Sequence, residues 1–273
     1  MRKCITVGLA LFLFLMSSIN VSASDRKKEL REFEHARSAT AELFVLNPEV
    51  VNPNAIGPLP ICGAWNVAKV PGGYELFTAA HCVTLDEDAD ATEPLRFAVS
   101  YTGAEVPILL PATVVAVGNM ESLKTDLALL YVRTDAVHDV LELSTETPKL
   151  LDRVINWSAS YAPIMQGSEG FIAAVSVDDP PNAELDRSNW VVIDGVYKGS
   201  SGSAIISVKT GKVIEMVNIG MPLKGFAGVR AERMRVFLAE HIITTTPPVQ
   251  DAVAATAKRV SPNDQRSPHG GRF

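Results

Sequence analysis

Residues 77–82 of the chain read FTAAHC, and this stretch contributes most to the prediction of the fold and of the candidate site. An apolar, strand-forming run ends here, and His81 follows it between small residues and Cys82. A histidine after an apolar run is usually structural. Here a disulfide at Cys82 would fix the backbone that carries the imidazole. The stretch therefore predicts a strand that ends in a rigid turn with a functional histidine.

The amino-terminal segment, residues 1–23, has the layout of a secretory signal peptide. Arg2 and Lys3 precede the apolar run 5–16, and small residues offer a cleavage site after Ala23. The run is shorter than the ~20 residues that span a bilayer, which favours cleavage over an uncleaved membrane anchor. We therefore expect a secreted or periplasmic protein with no stable membrane anchor after cleavage.

The cysteine content supports this expectation. Cys4 lies inside the leader, so only Cys62 and Cys82 remain in the mature chain. A pair of cysteines in an exported protein indicates a disulfide, whereas two reduced thiols would be the alternative in the cytosol. Two cysteines without a matching pair of histidines are too few for a zinc site, and we expect no metal and no cofactor.

The composition is that of a globular protein. Of the 273 residues, 47% are hydrophobic, which is enough for one sizeable core or for two small barrels that share an interface. The net charge of −6 argues against a nucleic-acid partner.

Short apolar runs separated by turn residues dominate the chain after residue 61. Such a pattern is typical of an all-β barrel or sandwich. The predicted strands are 74–78, 95–101, 112–117, 127–132, 170–177, 190–196, 204–208 and 213–219.

The two ends of the mature chain differ from this pattern. Residues 26–32 are highly charged and indicate a solvated helix or a short pro-segment. Near the other end, the apolar residues Met234, Phe237, Leu238 and Ile242 share one face of a predicted helix. The predicted organisation is a signal peptide over 1–23, a lead-in or pro-segment over 24–60, one domain over 61–244 and a disordered tail over 245–273.

A second candidate residue is Asp126, which opens the apolar run LALL of residues 127–130. Burial of an unpaired carboxylate is costly, so an aspartate in this place needs a partner. A turn or capping role is the alternative when the motif is taken alone.

The third candidate motif is GSSGSA, residues 199–204. Of its serines, only Ser201 has a glycine two positions before it and another directly after it. Glycines in these places let the chain turn sharply and bring backbone N–H groups close to a substrate carbonyl. A plain Gly/Ser turn is the alternative.

Taken together, the three motifs resemble the signature blocks of the trypsin-like serine proteases. Their order is His81, Asp126, Ser201, and 45 positions separate the first two. Cys62 resembles the family's half-cystine upstream of the histidine. The resemblance implies an all-β fold of two six-stranded antiparallel β-barrels, of the chymotrypsin type, with a carboxy-terminal helix.

The resemblance also implies a reaction, the hydrolysis of peptide bonds in a protein or peptide substrate. Ser201 would be the nucleophile, His81 the general base and Asp126 the residue that orients the imidazole. The N–H groups of Gly199 and Ser201 would form the oxyanion hole. Ser200 stands where the family's motif usually has aspartate, so no carboxylate is available here to bind a freed amino terminus. The chain is therefore closer to the bacterial or viral-type members.

The alignment with the family also suggests a substrate pocket. Gly195, Gly220 and Gly228 correspond to its walls, and three glycines would leave it open and uncharged. Such a pocket favours a large apolar side chain over a basic one. A shift of the alignment by one or two residues would remove this expectation.

Two other functions remain as alternatives. One is a catalytically silent protease fold that binds peptides or a partner at the cell surface. The other is an enzyme with a different target, such as an esterase or a polyprotein-processing protease. The Gly-x-Ser-x-Gly elbow of α/β-hydrolases is not satisfied at Ser201.

Overall fold

The structure is a computed structural model of the whole chain. It describes residues 23–50, 54–84, 94–101, 108–119, 125–159, 165–174, 190–193, 199–221 and 225–241. The predicted signal peptide and the predicted disordered tail lie outside these residues, apart from Ala23. Among the helices of the described residues, none is long and apolar enough to cross a membrane.

The first six strands close into one antiparallel barrel, in the order β1-β2-β3-β6-β5-β4. They are β1 (Thr40–Val45), β2 (Leu59–Val70), β3 (Gly73–Thr78), β4 (Phe97–Tyr101), β5 (Leu110–Val117) and β6 (Ala128–Arg133). Short 3-10 helices lie at Pro48–Val50 and Ala80–Cys82.

The last six strands close into a second antiparallel barrel, in the order β10-β11-β12-β9-β8-β7. They are β7 (Arg153–Ala159), β8 (Met165–Ala174), β9 (Trp190–Ile193), β10 (Ala204–Ser207), β11 (Val213–Met221) and β12 (Gly225–Arg230). Two six-stranded antiparallel barrels confirm the predicted fold class.

Every segment that the sequence predicts as a strand overlaps one of these strands, but β1, β2, β7 and β12 were not predicted. Strand β1 is buried on both faces, so it lacks the alternation of apolar and polar residues that marks a half-buried strand. The first barrel therefore begins at Thr40, inside the segment 24–60 that the sequence analysis assigned to a lead-in.

Helix α1 (Ala23–Ala39) precedes the first barrel and packs on the second. The indole Nε1 of Trp157 in β7 donates a hydrogen bond to the carbonyl of Phe33, at 2.9 Å, and the two rings meet edge to face. Arg153 of β7 forms an ion pair with Glu29. The charged segment is thus a helix, with one side docked on the barrel.

Helix α2 (Ala231–His241) follows the last strand, as the apolar stripe predicted. Met234 and Phe237 are buried on its inner face. The ring of Phe237 lies 6.3 Å from that of Phe77 in β3, which in turn lies 5.4 Å from Trp65 in β2. The helix therefore packs against β11 and β12 of the second barrel and also contacts the first.

The largest hydrophobic core fills the first barrel and continues into the interface between the barrels. From the second barrel it includes Ile155, Ala204, Ile206 and Met216. A smaller cluster fills the second barrel and consists of Val154, Ile172, Val191, Ile193, Ile205, Ile214 and Val217.

Candidate active site

His81 lies in the short 3-10 helix that follows β3. Its neighbour Cys82 is bonded to Cys62 of β2 in a disulfide. This bond ties the turn to a central strand of the first barrel. The side chain of His81 is 37% exposed, so the imidazole is accessible to a substrate.

Asp126 lies two residues before the start of β6 and accepts two hydrogen bonds from His81. Its Oδ1 accepts the backbone N–H of His81 at 2.8 Å, and its Oδ2 lies 2.7 Å from the imidazole Nδ1. The aspartate side chain is only 5% exposed. The partner that a buried carboxylate requires is therefore His81.

This geometry determines how the imidazole can react. A neutral histidine carries one ring proton, and the hydrogen bond it donates decides which nitrogen holds that proton. With Nδ1–H donating to Asp126, Nε2 is the basic nitrogen. The pair can therefore accept a proton at Nε2 and stabilise the resulting imidazolium with the aspartate charge.

Ser201 lies in the turn between β9 and β10 and is half-buried. Gly199 has a φ of +92° and Gly202 a φ of +83°, values that favour glycine. A Cβ on Gly202 would also lie 2.3 Å from the carbonyl oxygen of Gly63 and 3.1 Å from the backbone nitrogen of Ala79. The serine turn is thus pressed against the segment that carries His81.

The Ser201 hydroxyl donates a hydrogen bond of 3.4 Å to the carbonyl oxygen of Asn218. Asn218 is the extra residue of a β-bulge in β11, between the pairs Val217–Gly228 and Ile219–Ala227. Bulges beside active sites re-aim the groups they carry. Among the described residues no hydrogen bond joins Ser201 to His81. Catalytic hydrogen bonds are often long before substrate binds.

Gly199 and Ser201, whose N–H groups the sequence analysis expects in an oxyanion hole, both lie in the serine turn. Gly202 N–H donates to Val217 O and Ser203 N–H to Ser200 O, both within the fold. Among the described residues, the N–H groups of Gly199 and Ser201 donate to no carbonyl.

The structure describes two of the three glycines proposed for the substrate pocket. Gly195 lies outside the described residues, and Gly220 lies in β11 opposite Phe226. Gly228 is buried in β12, where a Cβ would lie 1.8 Å from the carbonyl oxygen of Met216. Close packing of β11 on β12 is therefore a sufficient reason for glycine at 228.

Several contacts of the site were not foreseen from the sequence. Gly63 donates its N–H to the carbonyl oxygen of Ser201, and its own carbonyl accepts the hydroxyl of Thr78. Asn218 contributes through its main chain. Such roles leave no signature in residue type, because any residue carries the same backbone groups.

The ligand atoms of Cys62, Cys82 and His81 lie within 4.8 Å of one another. Both sulfur atoms belong to the disulfide, and a metal ion requires the thiolate form. This cluster therefore serves to fix the histidine.

The comparison with known proteins bears on the family and the fold. Residues 66–215, more than half of the chain, match the model of the trypsin-like peptidase domain family. The fold is similar to that in the crystal structure of Deg5, with a TM-score of 0.57 and 13% sequence identity. That match covers 80% of this chain and 94% of the other, and at this identity it shows the fold alone. No curated protein matches the sequence significantly.

Proposed function

Because this chain belongs to the family of trypsin-like peptidase domains, we propose that it is a secreted serine endopeptidase with His81, Asp126 and Ser201 as its catalytic residues. The observation that carries the proposal is the His81–Asp126 pair. The imidazole Nδ1 of His81 lies 2.7 Å from Oδ2 of the buried Asp126, and the pair lies beside the glycine-flanked turn of Ser201. The substrate is a protein or peptide.

The reaction begins when Ser201 Oγ attacks the scissile carbonyl carbon. His81 Nε2 takes the hydroxyl proton and then gives it to the leaving amine, so that an acyl-enzyme and a free amine result. Water, activated by the same nitrogen, hydrolyses the acyl-enzyme and restores Ser201. Throughout, Asp126 keeps the imidazole in the tautomer with its proton on Nδ1.

The negative charge that develops on the carbonyl oxygen requires donors. The N–H groups of Gly199 and Ser201 supply them, and the loss of one such donor typically costs about 2.7–4 kcal/mol of transition-state stabilisation. The positive φ of Gly199 supports this role, since it turns the backbone in a way that other residues rarely adopt.

Before attack, the Ser201 hydroxyl must leave the carbonyl of Asn218 and turn to His81. A rotation about the Cα–Cβ bond of Ser201 is the motion that we propose for this step. The alternative is a catalytically silent protease fold that binds peptides or a partner at the cell surface.

Export is the remaining part of the proposal. The Cys62–Cys82 disulfide supports it, because such bonds persist in oxidising compartments. We place the protein outside the cytoplasm, either secreted or in a periplasm.

Labelling with a fluorophosphonate probe tests the proposed nucleophile. The wild type should be labelled, and Ser201→Ala should not, because only an activated serine reacts at a useful rate. Ser200→Ala is the matched control and should remain labelled. Labelling that survives Ser201→Ala, or its absence from the folded wild type, would contradict the proposal.

The same preparation reports on the pocket. Turnover of matched peptides with Phe, Leu, Arg or Glu before the bond should favour Phe and Leu if the pocket formed by Gly195, Gly220 and Gly228 is open and uncharged. A preference for Arg or Glu would remove the pocket assignment and leave the catalytic residues unchanged.

A further inference from the structure

The two barrels meet at Gly63 of β2, directly below the serine turn. The N–H of Gly63 donates to the carbonyl of Ser201 at 2.8 Å, and its carbonyl accepts the Thr78 hydroxyl at 2.8 Å. A Cβ on Gly63 would lie 2.2 Å from Ser203 Oγ. The side of Gly63 that lacks a side chain therefore faces Ser203, two residues after the proposed nucleophile.

Glu42 of β1 is the residue directly opposite Gly63. Both main-chain groups of Gly63 point away from β1, so the two residues form a non-hydrogen-bonded antiparallel pair, with Cα atoms about 4.5 Å apart. Directly opposite residues place their side chains on the same face of the sheet. Glu42 therefore projects towards the space that Gly63 leaves beside Ser203.

Both side chains are buried. Glu42 is 8% exposed and Ser203 is 0% exposed. Glu42 Oε1 and Ser203 Oγ are also both buried atoms without a hydrogen-bond partner among the described residues. An unsatisfied buried polar group costs free energy, whereas a carboxyl and a hydroxyl can satisfy each other.

We propose that Glu42 and Ser203 form a hydrogen-bonded link between the barrels and that this link positions the Ser201 turn against His81. The bond is made either directly or through one buried water. The proposal rests on the proposed function, because it assigns Glu42 and Ser203 as positioning residues of that same site.

The charge state of Glu42 controls the link. Burial raises the pKa of Glu42 from 4.5 to about 7. The strands that pack against β1 offer no compensating cation. β2 carries only Lys69, at its exposed end, and the titratable Tyr101 of β4 donates its hydroxyl to Asn66.

The third neighbour of β1 is β7, across the barrel interface. Its charged residue is Arg153, which forms ion pairs with Glu29 and Glu169. The residue of the serine turn that faces Glu42 is Ser203, and its side chain is uncharged. Glu42 is therefore neutral below about pH 7, and its ionisation at higher pH draws water towards the interface.

The sign of the effect follows from the raised pKa. The contribution of protonated Glu42 to the free energy of unfolding is fully present below its ordinary pKa of 4.5. It is lost as the pH rises through about 7, the pKa of Glu42 in the folded protein. The turnover of the wild type should therefore fall as the pH rises above about 7.

The pH profile of kcat between pH 5.5 and 9.5 tests the link. In Glu42→Gln the ratio of kcat at pH 9 to kcat at pH 7 should exceed the wild-type ratio by at least about threefold, since glutamine keeps the hydrogen bond and does not ionise. Ser203→Ala should lower kcat at pH 7 severalfold with KM nearly unchanged and should also lose the alkaline fall.

Glu75→Gln is the matched control. Glu75 is a second buried glutamate of the first barrel, in β3 opposite Tyr131, and does not pair with Gly63. This variant should keep the alkaline fall. An alkaline fall that is unchanged in Glu42→Gln, or equally reduced in Glu75→Gln, would overturn the proposal.

A second measurement does not require activity. Melting temperatures of the wild type, Glu42→Gln, Ser203→Ala and the double variant form a double-mutant cycle at pH 6 and pH 9. The effects should be non-additive at pH 6 and change with pH. Additive effects at both pH values would overturn the link, and an inactive, unlabelled wild type would instead overturn the proposed function.

Discussion

At the scale of single residues, the site depends on one buried carboxylate. Asp126 accepts one hydrogen bond from the backbone N–H of His81 and another from its imidazole Nδ1. It therefore holds the turn and the ring at once. An ionised carboxylate cannot donate a hydrogen bond, so the imidazole of His81 must carry its proton on Nδ1, the nitrogen that faces Asp126.

Replacement of this carboxylate tests its role. Asp126→Asn should lower kcat by about 10⁴-fold, because an amide that donates to Nδ1 favours the wrong tautomer. The measurement is the turnover of a peptide substrate at pH 7.5, together with a melting curve to show that the variant is folded.

Asp139→Asn provides the matched control for this change. Asp139 also faces a histidine, with its Oδ2 3.5 Å from the Nδ1 of His35, but this pair is exposed. Surface pairs contribute little, so turnover should stay within about twofold of the wild type. Equal losses in the two variants would contradict the role of Asp126.

At the scale of elements, close strand packing determines where glycine is required. Strands β11 and β12 approach so closely that a Cβ on Gly228 would meet the main chain of Met216. The same hairpin carries the bulge at Asn218, whose carbonyl accepts the Ser201 hydroxyl. Packing of this hairpin therefore affects the position of the nucleophile.

Gly228→Ala should accordingly destabilise the protein. Overpacking against the main chain costs about 1–3 kcal/mol, and the free energy of unfolding in urea measures it. Gly57→Ala is the control. Gly57 has a φ of +77° and open space around it, so only the conformational cost of about 1–2 kcal/mol applies. A Gly228→Ala protein as stable as the wild type would show that β11 and β12 can separate.

At the scale of the whole molecule, helix α1 connects the two barrels. It contacts β7 of the second barrel through Phe33 and Glu29, and it leads directly into β1 of the first. Asp139 lies in the segment of the chain that connects β6 to β7, and it donates its N–H to the hydroxyl of Ser38 near the end of the helix. These contacts favour a permanent structural helix over the pro-segment that the sequence left open.

Phe33→Ala tests this role. The loss of its packing on Trp157 should lower the free energy of unfolding by about 2 kcal/mol, which is below the ~3–5 kcal/mol of a fully buried Phe→Ala because Phe33 is only partly buried. Leu30→Ala, on the exposed side of the same helix, should change stability by less than about 0.5 kcal/mol. A rise in turnover upon loss of Phe33 would indicate an inhibitory pro-segment instead.

The sequence alone was sufficient for the fold class and for the three motifs of the candidate site. Short apolar runs between turn residues indicated an all-β protein. His81, Asp126 and Ser201 each stood beside a strand in a local context that packing alone did not explain. These signals are local, because each depends on neighbours within a few positions along the chain.

Only the tertiary structure decided the remaining features. Strand β1 is identified by its pairing with β2 and β4. This pairing also places Glu42 opposite Gly63. The main-chain roles of Gly63 and Asn218 depend on contacts between residues far apart in the sequence. Every residue has the same backbone donors and acceptors, so residue type does not encode these roles, and the closure of the barrels alone selects the groups that meet.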